Sequence, residues 1–202
     1  MVNIIIANKK NIKEVLGSAA SALKAGKIVA YPTETFYALG VKFDMNEAMK
    51  RLLKLKKRPS EKALPLIAGN MESLSMAASH LNEASLSLIR RFWPGPLTLL
   101  LPAKNGLPAG ITHEGKVAMR VPGRSFALRL ALEAGFPITA TSANPSDMPP
   151  PLTAEEVSEY FGGHVDLIVN AGRTKGGPPS TIADATGDKI KIIRQGAIRI
   201  ND

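Results

Sequence analysis

Apolar residues recur at helical spacing near the start of the chain, where Ile12, Val15, Leu16, Ala19 and Leu23 share one face. Asn11 stands where an N-cap belongs and Gly26 where a C-terminal glycine belongs, so the spacing predicts a helix between them. The same pattern places helices at about Asn46 to Lys57, Met71 to Ala78, Glu83 to Phe92, Phe126 to Glu133 and Ala154 to Phe161, the last opened by a capping box from Thr153 to Glu156. Between them lie short β-rich runs with Pro or Gly near their ends: KIVAYP, LTLLLPA, VAMRVP, PITATSAN, VDLIVNAG, STIADAT and KIKIIRQ. These read as strands. Helices and strands alternate irregularly, which predicts an α/β or α+β domain on a mixed sheet rather than a regular doubly wound one.

The length of 202 residues suits one domain over 1–202, large enough to bury about 70% of the surface its unfolded chain exposes. No internal repeat, low-complexity tract or Gly/Ser linker divides it. With 45% hydrophobic residues and no apolar run near the about 20 residues a bilayer requires, neither disorder nor a membrane span is expected. The start, MVNIIIANKK, has only an isoleucine triplet and no secretory pattern, so a cytoplasmic location is expected. The absence of cysteine excludes disulfides, thiolate nucleophiles and zinc–thiolate sites. Lys and Arg number 26 against 17 Asp and Glu, a net charge of +9 that favours polyanionic partners such as nucleotides or RNA.

The densest cations lie in LKLKKRPSEKALPL, Leu53 to Leu66, and helical spacing divides them. Lys50, Lys54 and Lys57 fall together as a solvated stripe. Lys56 follows the buried face of Met49, Leu52 and Leu53, where it either snorkels to the surface along its stem or delivers its ammonium to the edge of a cleft. Arg58 precedes Pro59 and is pushed out of helical geometry, which projects its guanidinium from a loop. With Lys62 beside them, Lys56 and Arg58 would suit phosphates. Three loops follow strands and are dense in hydroxyls or amides: YPTETFYALG, TATSANPSDMPP and GGPPSTIAD. Strand ends are where α/β folds hold ligands, though each loop alone also reads as local turn chemistry. Neither GxxxxGK[ST] nor GxGxxG occurs, so a phosphate site would be built from side chains and scattered amides. His80, His113 and His164 are far apart along the chain, and neither a protein metal site nor a Ser-His-Asp triad is expected.

These segments together resemble the YrdC-type threonylcarbamoyl-AMP synthases. GKIVAYPTETFYALG, LLKLKKRPSEKALPLIAGN, FWPGPLTLLLPA, VAMRVP, TATSANPS, GGPPSTIAD and IIRQGAI stand in that family's order and spacing. The resemblance implies an α/β fold, a twisted, open, mixed parallel/antiparallel sheet with flanking helices (YrdC/RibB-like) and a positively charged concave face. It implies a nucleotidyltransferase that converts L-threonine, bicarbonate and ATP, with Mg2+ on the ATP phosphates, to threonylcarbamoyl-AMP and pyrophosphate. That product feeds the threonylcarbamoyl-adenosine modification at position 37 of tRNAs. Lys56, Arg58, Ser142 and Asn144 match the family's nucleotide-binding signature, Lys56 and Arg58 being the expected catalytic cations, while Lys62 and Arg194 would add ATP contacts. Thr33, Arg120, Ser180 and Thr181 match the threonine-binding positions. Expected partners are a downstream threonylcarbamoyl transferase and, weakly, tRNA or double-stranded RNA.

The short form, without the extra C-terminal domain of longer members, is expected. Three positions depart from the family's usual pattern: Ala38 in YALG, Asp147 after the asparagine loop, and KALPL for the commoner KPL. Asp147 tolerates a positive φ, and Ala38 matters only if its position requires one. Two alternatives accompany this reading: an RNA-binding module of the same fold, and a YciO-type paralogue of different activity. No aromatic residue lies between Lys54 and Leu66, which favours an enzyme over a stacking RNA reader.

Overall fold

A computed structural model describes residues 3–57 and 63–200. Its strands, numbered along the chain, form two mixed sheets. The first runs in the order β1 (Ile4–Ile6), β10 (Leu167–Asn170), β2 (Val29–Pro32), β3 (Tyr37–Gly40) and β9 (Thr141–Ser142). The second runs β12 (Lys191–Arg194), β11 (Thr181–Asp184), β5 (Leu97–Pro102), β7 (Lys116–Arg120), β4 (Leu66–Ile67) and β8 (Ile138–Thr139), with β6 (Thr112–His113) paired to β7. Parallel and antiparallel pairs occur in both, as the irregular alternation predicts.

PITATSAN, expected as one strand, divides at Ala140. β8 pairs with β4 in the second sheet and β9 with β3 in the first, so one extended segment joins the two sheets. YPTETFYALG, expected as a loop, is instead the turn and second strand of a hairpin: β3 returns antiparallel to β2. Gly40 shows why this corner admits no side chain. A Cβ there would lie 2.7 Å from Ile138 Cγ2 and from Thr139 O, where β3 crosses the joining segment. Ala38 pairs with Tyr31 and Ser142 in regular strand geometry, so its position asks for no positive φ, whereas Asp147 does adopt one at 71°.

Helices α1 (Ile12–Lys24), α2 (Asn46–Lys56), α3 (Met71–Leu74), α4 (Glu83–Phe92), α5 (Phe126–Ala134) and α6 (Ala154–Phe161) flank the sheets. α3 is shorter than expected because its N–H groups move to i−3 partners, Met76 to Ser73 O and Ala77 to Leu74 O, while Ser75 bonds Glu72 O. Asn11 occupies its cap position, yet its amide turns back to Ile6 O at the end of β1. Thr153 caps α6 through Glu156 N as predicted, but the Glu156 carboxylate accepts from Leu152 N rather than closing the box.

Alternation along β2 serves two cores. Val29 and Tyr31 pack under α1 and α5 with Leu16, Leu23 and Leu130, while Ile28 and Ala30 join a larger cluster with Met49, Leu52, Leu99 and Met119. Burial on both faces fixes the register of the central strands, and with it the direction of every side chain along them.

Candidate functional site

The face of the second sheet opposite that larger cluster floors a cavity of about 730 Å3. Period-two alternation decides which residues reach it. Along β7, Val117 and Met119 are buried, so Lys116, Ala118 and Arg120 face the cavity. Along β11, Ala183 enters the core and Ile182 and Asp184 face the cavity. Thr98 and Leu100 complete the floor from β5. The walls are the Thr33–Phe36 turn and Ala140–Ser142 on one side, and Ser180 with β12 on the other.

The threonine-binding candidates divide by this geometry. Arg120 lines the cavity and donates through Nη1 to Glu34 Oε1 at 2.7 Å. Thr33 also lines it, but its hydroxyl closes the hairpin turn, accepting from Thr35 N (3.1 Å) and Phe36 N (3.2 Å) and donating to Phe36 O (2.8 Å). Ser180 lines the opposite wall, its hydroxyl 2.9 Å from Thr98 Oγ1. Thr181 does not line the cavity. Neighbours on a strand point to opposite faces, and Thr181 takes the buried one, where it donates to Ile198 O (2.6 Å) and accepts from Gly196 N (3.0 Å). Its effect on the site runs through the backbone: it pins the segment after β12. Gly196 is required there, since a Cβ would lie 2.3 Å from Pro179 O.

Among the nucleotide candidates, Ser142 and Arg194 line the cavity. Arg194 donates to Ser180 O at 2.8 Å, and burial lowers its pKa below the usual arginine value. Lys56 takes neither course that its spacing left open, and it is not among the residues that line the cavity. It does not snorkel outward: it is 4% exposed, and its ammonium donates to Ser142 O at 2.6 Å and to Asn144 O. A buried ammonium needs such partners, and here they tie α2 to the TSAN loop. Asn144 is also buried, its Nδ2 held by Pro145 O and Met148 O, and its Oδ1 lacks a partner among the described residues. Arg58 and Lys62 lie outside the described residues. Lys50, Lys54 and Lys57 are exposed, as the stripe predicts.

Three cavity residues escaped the sequence reading. Lys116 donates to Asp184 Oδ2 at 2.7 Å, and Thr98 meets Ser180. Alternation within KVAMR and TIAD, and the lone hydroxyl within LTLLLP, carried the signal. Glu34 is a different omission, since nothing in a turn sequence tells which strand its carboxylate meets. Among the described residues no three histidine or acidic side chains converge to hold a metal ion, and no helix is long and apolar enough to cross a membrane.

The Sua5/YciO/YrdC family model, described as Telomere recombination, matches residues 21–196. A threonylcarbamoyl-AMP synthase of Pyrococcus abyssi is 37% identical over 203 residues, covering 100% of this chain and 60% of its own length. The chain thus spans less than two thirds of that relative. A threonylcarbamoyl-AMP synthase of Vibrio campbellii is 36% identical, covering 93% of this chain and 100% of its own. The crystal structure of P. abyssi Sua5 complexed with L-threonine superposes with a TM-score of 0.87 at 35% identity, over 97% of this chain and 57% of that one.

Proposed function

The chain belongs to the Sua5/YciO/YrdC family, and from that premise we propose that it is an L-threonylcarbamoyladenylate synthase. The substrates are L-threonine, bicarbonate and ATP, and the products threonylcarbamoyl-AMP and pyrophosphate. One observation carries this reading: a cavity of about 730 Å3 in which Arg120, Arg194 and the hydroxyl-bearing Thr98, Ser142 and Ser180 converge.

The reaction asks for little more. The threonine nitrogen bonds the carbon of bicarbonate, and water leaves to give a carbamate. A carbamate oxygen then bonds the α-phosphorus of ATP as the bridging bond to the β-phosphate breaks, and pyrophosphate departs. Charge neutralisation and alignment dominate such a transfer, and no covalent nucleophile on the protein is needed. Arg120 takes the threonine carboxylate with the open part of its fork. Arg194 and Ser142 face the nucleotide. The resemblance of LKLKKRPSEKALPL to the family assigns Arg58 to the ATP phosphates, with Lys62 adding to it. Lys56 and Asn144 act together, the ammonium fixing the carbonyls on either side of Ala143 and so the placement of Ser142. Magnesium would arrive with ATP on its own phosphates, where it would neutralise charge, and no step here runs through it.

A single domain over 1–202, a cytoplasmic setting and a tRNA-directed transferase that consumes the labile adenylate complete the proposal. Pyrophosphate release tests it. Release that requires both threonine and bicarbonate is expected; release indifferent to threonine overturns the assignment.

A further inference from the structure

Glu34 projects from the Thr33–Phe36 turn, whose backbone is fixed by the Thr33 hydroxyl. Its partner Arg120 stands on β7 in the middle of the second sheet. Both side chains are largely withdrawn from water, at 19% and 12% exposure, and they meet through one contact, Arg120 Nη1 to Glu34 Oε1 at 2.7 Å. Glu34 Oε2 is buried and has no hydrogen-bond partner among the described residues. As a stabilising device this is a poor arrangement. Desolvating an ion pair roughly cancels its Coulomb attraction, and an unmet carboxylate oxygen adds a cost. The guanidinium in turn carries five N–H donors, of which Glu34 engages one.

We infer that Glu34 is a positioning residue: it fixes the Arg120 guanidinium so that the remaining edge of the fork faces the cavity, and thereby makes the site selective for an amino-acid carboxylate. The inference rests on the function proposed above. Two carboxylates share one guanidinium, Glu34 from the hairpin side and the substrate from the cavity side. Paired N–H···O bonds to a carboxylate need the guanidinium plane held in one orientation, and an arginine alone on a strand has several rotamers to choose from.

Binding of L-threonine and of L-threoninamide, which lacks the carboxylate, is measured by calorimetry on the wild type, Glu34→Ala, Glu34→Gln and Arg120→Ala, with ATP binding alongside. Glu34→Ala should weaken threonine binding at least about tenfold and shrink the preference for threonine over its amide, with ATP affinity unchanged. Glu34→Gln keeps an acceptor for Nη1 and should restore most of the loss. Threonine binding that is unchanged or tighter in Glu34→Ala, beside a clear loss in Arg120→Ala, overturns this inference and leaves the proposed function standing. Equal losses for threonine and ATP, not restored by Glu34→Gln, would make Glu34 a structural brace. No threonine binding by the wild type overturns both readings.

Discussion

Lys116 and Arg120 lie four residues apart on one face of β7, and each holds a carboxylate at 2.7 Å. The two carboxylates are in opposite states. Asp184 is closed: Oδ2 accepts from Lys116, and Oδ1 accepts from Thr186 N at 3.0 Å and Thr186 Oγ1 at 2.6 Å. Burial alone would raise its pKa, but the hydrogen bonds from Lys116 and Thr186 outweigh that and hold it below the usual carboxylate value. Lys116 is correspondingly raised, chiefly by its hydrogen bond to Asp184. Glu34 is open, with one oxygen unmet among the described residues, and among them most of the Arg120 fork is unengaged as well. A carboxylate with both oxygens met has little left to offer a ligand, whereas a guanidinium engaged through one of its five donors keeps bonding capacity that a ligand can complete. The same cavity floor therefore has a closed end at Asp184 and an open end at Arg120.

The largest effect that would break this contrast is at Arg120. Arg120→Ala should remove a bidentate, charge-assisted contact worth roughly 2 to 4 kcal/mol to threonine, with ATP binding near normal. Titrating each substrate separately checks it. A loss shared equally by both, or a collapse of the circular dichroism spectrum, would put Arg120 in the same structural class as Lys116.

Lys56 is a third cation, held on backbone carbonyls rather than on a carboxylate. Lys56→Ala should cut pyrophosphate release at least about tenfold and also lower stability by about 2 kcal/mol, because Ser142 O and Asn144 O lose the same buried donor. Activity lost at unchanged stability, read by chemical denaturation, would instead favour direct contact with the triphosphate.

How much of this was legible beforehand follows from what each feature depends on. Helices with clear periodicity and caps, such as α4 and α6, came out with the predicted ends because their signals are local. Strand existence was legible too, but sheet membership was not: the break at Ala140 depends on which neighbours β8 and β9 find, and those lie far away in the chain. The site divides in the same way. Ser180 and Thr181 are adjacent polar residues with equal claims in sequence, and only the burial of β11 decides that Thr181 faces inward. Helical spacing alone puts Lys56 on the buried stripe of α2, while its acceptors, 86 and 88 residues away, lie beyond any local signal. The Glu34–Arg120 pair joins a turn to a strand 86 residues on, which no spacing rule reaches.

A smaller effect tests the closed end. Asp184→Asn should lower stability by about 1 kcal/mol at neutral pH, with threonine and ATP affinities unchanged. The pH dependence has a definite sign. Because the folded-state pKa of Asp184 lies below its ordinary 3.8, its contribution is full above that value and disappears as pH falls through the folded value. Wild type and Asp184→Asn should therefore differ at pH 7 and converge in strong acid. A variant that loses substrate affinity at full stability would show that this end, too, is open to ligand.

The smallest effects belong to Lys54 and Lys57, the exposed members of the cationic run. Helical geometry turns them away from the stripe that carries Lys56 inward, and charges surrounded by water are screened over about 10 Å at ordinary ionic strength. Lys57 also ends α2 in the left-handed region at φ 49°, a conformation equally uncomfortable for lysine and alanine, so its replacement by alanine leaves the backbone cost where it was. Lys54→Ala and Lys57→Ala should each leave stability within about 0.5 kcal/mol of wild type and pyrophosphate release near normal. Release measured at two salt concentrations on these variants, beside Lys56→Ala, decides between discrete sites and a diffuse field. A uniform, salt-sensitive decline across all three would mean that the cavity is served by the summed charge of the surface, and the distinction between open and closed cations would lose its meaning for this face of the protein.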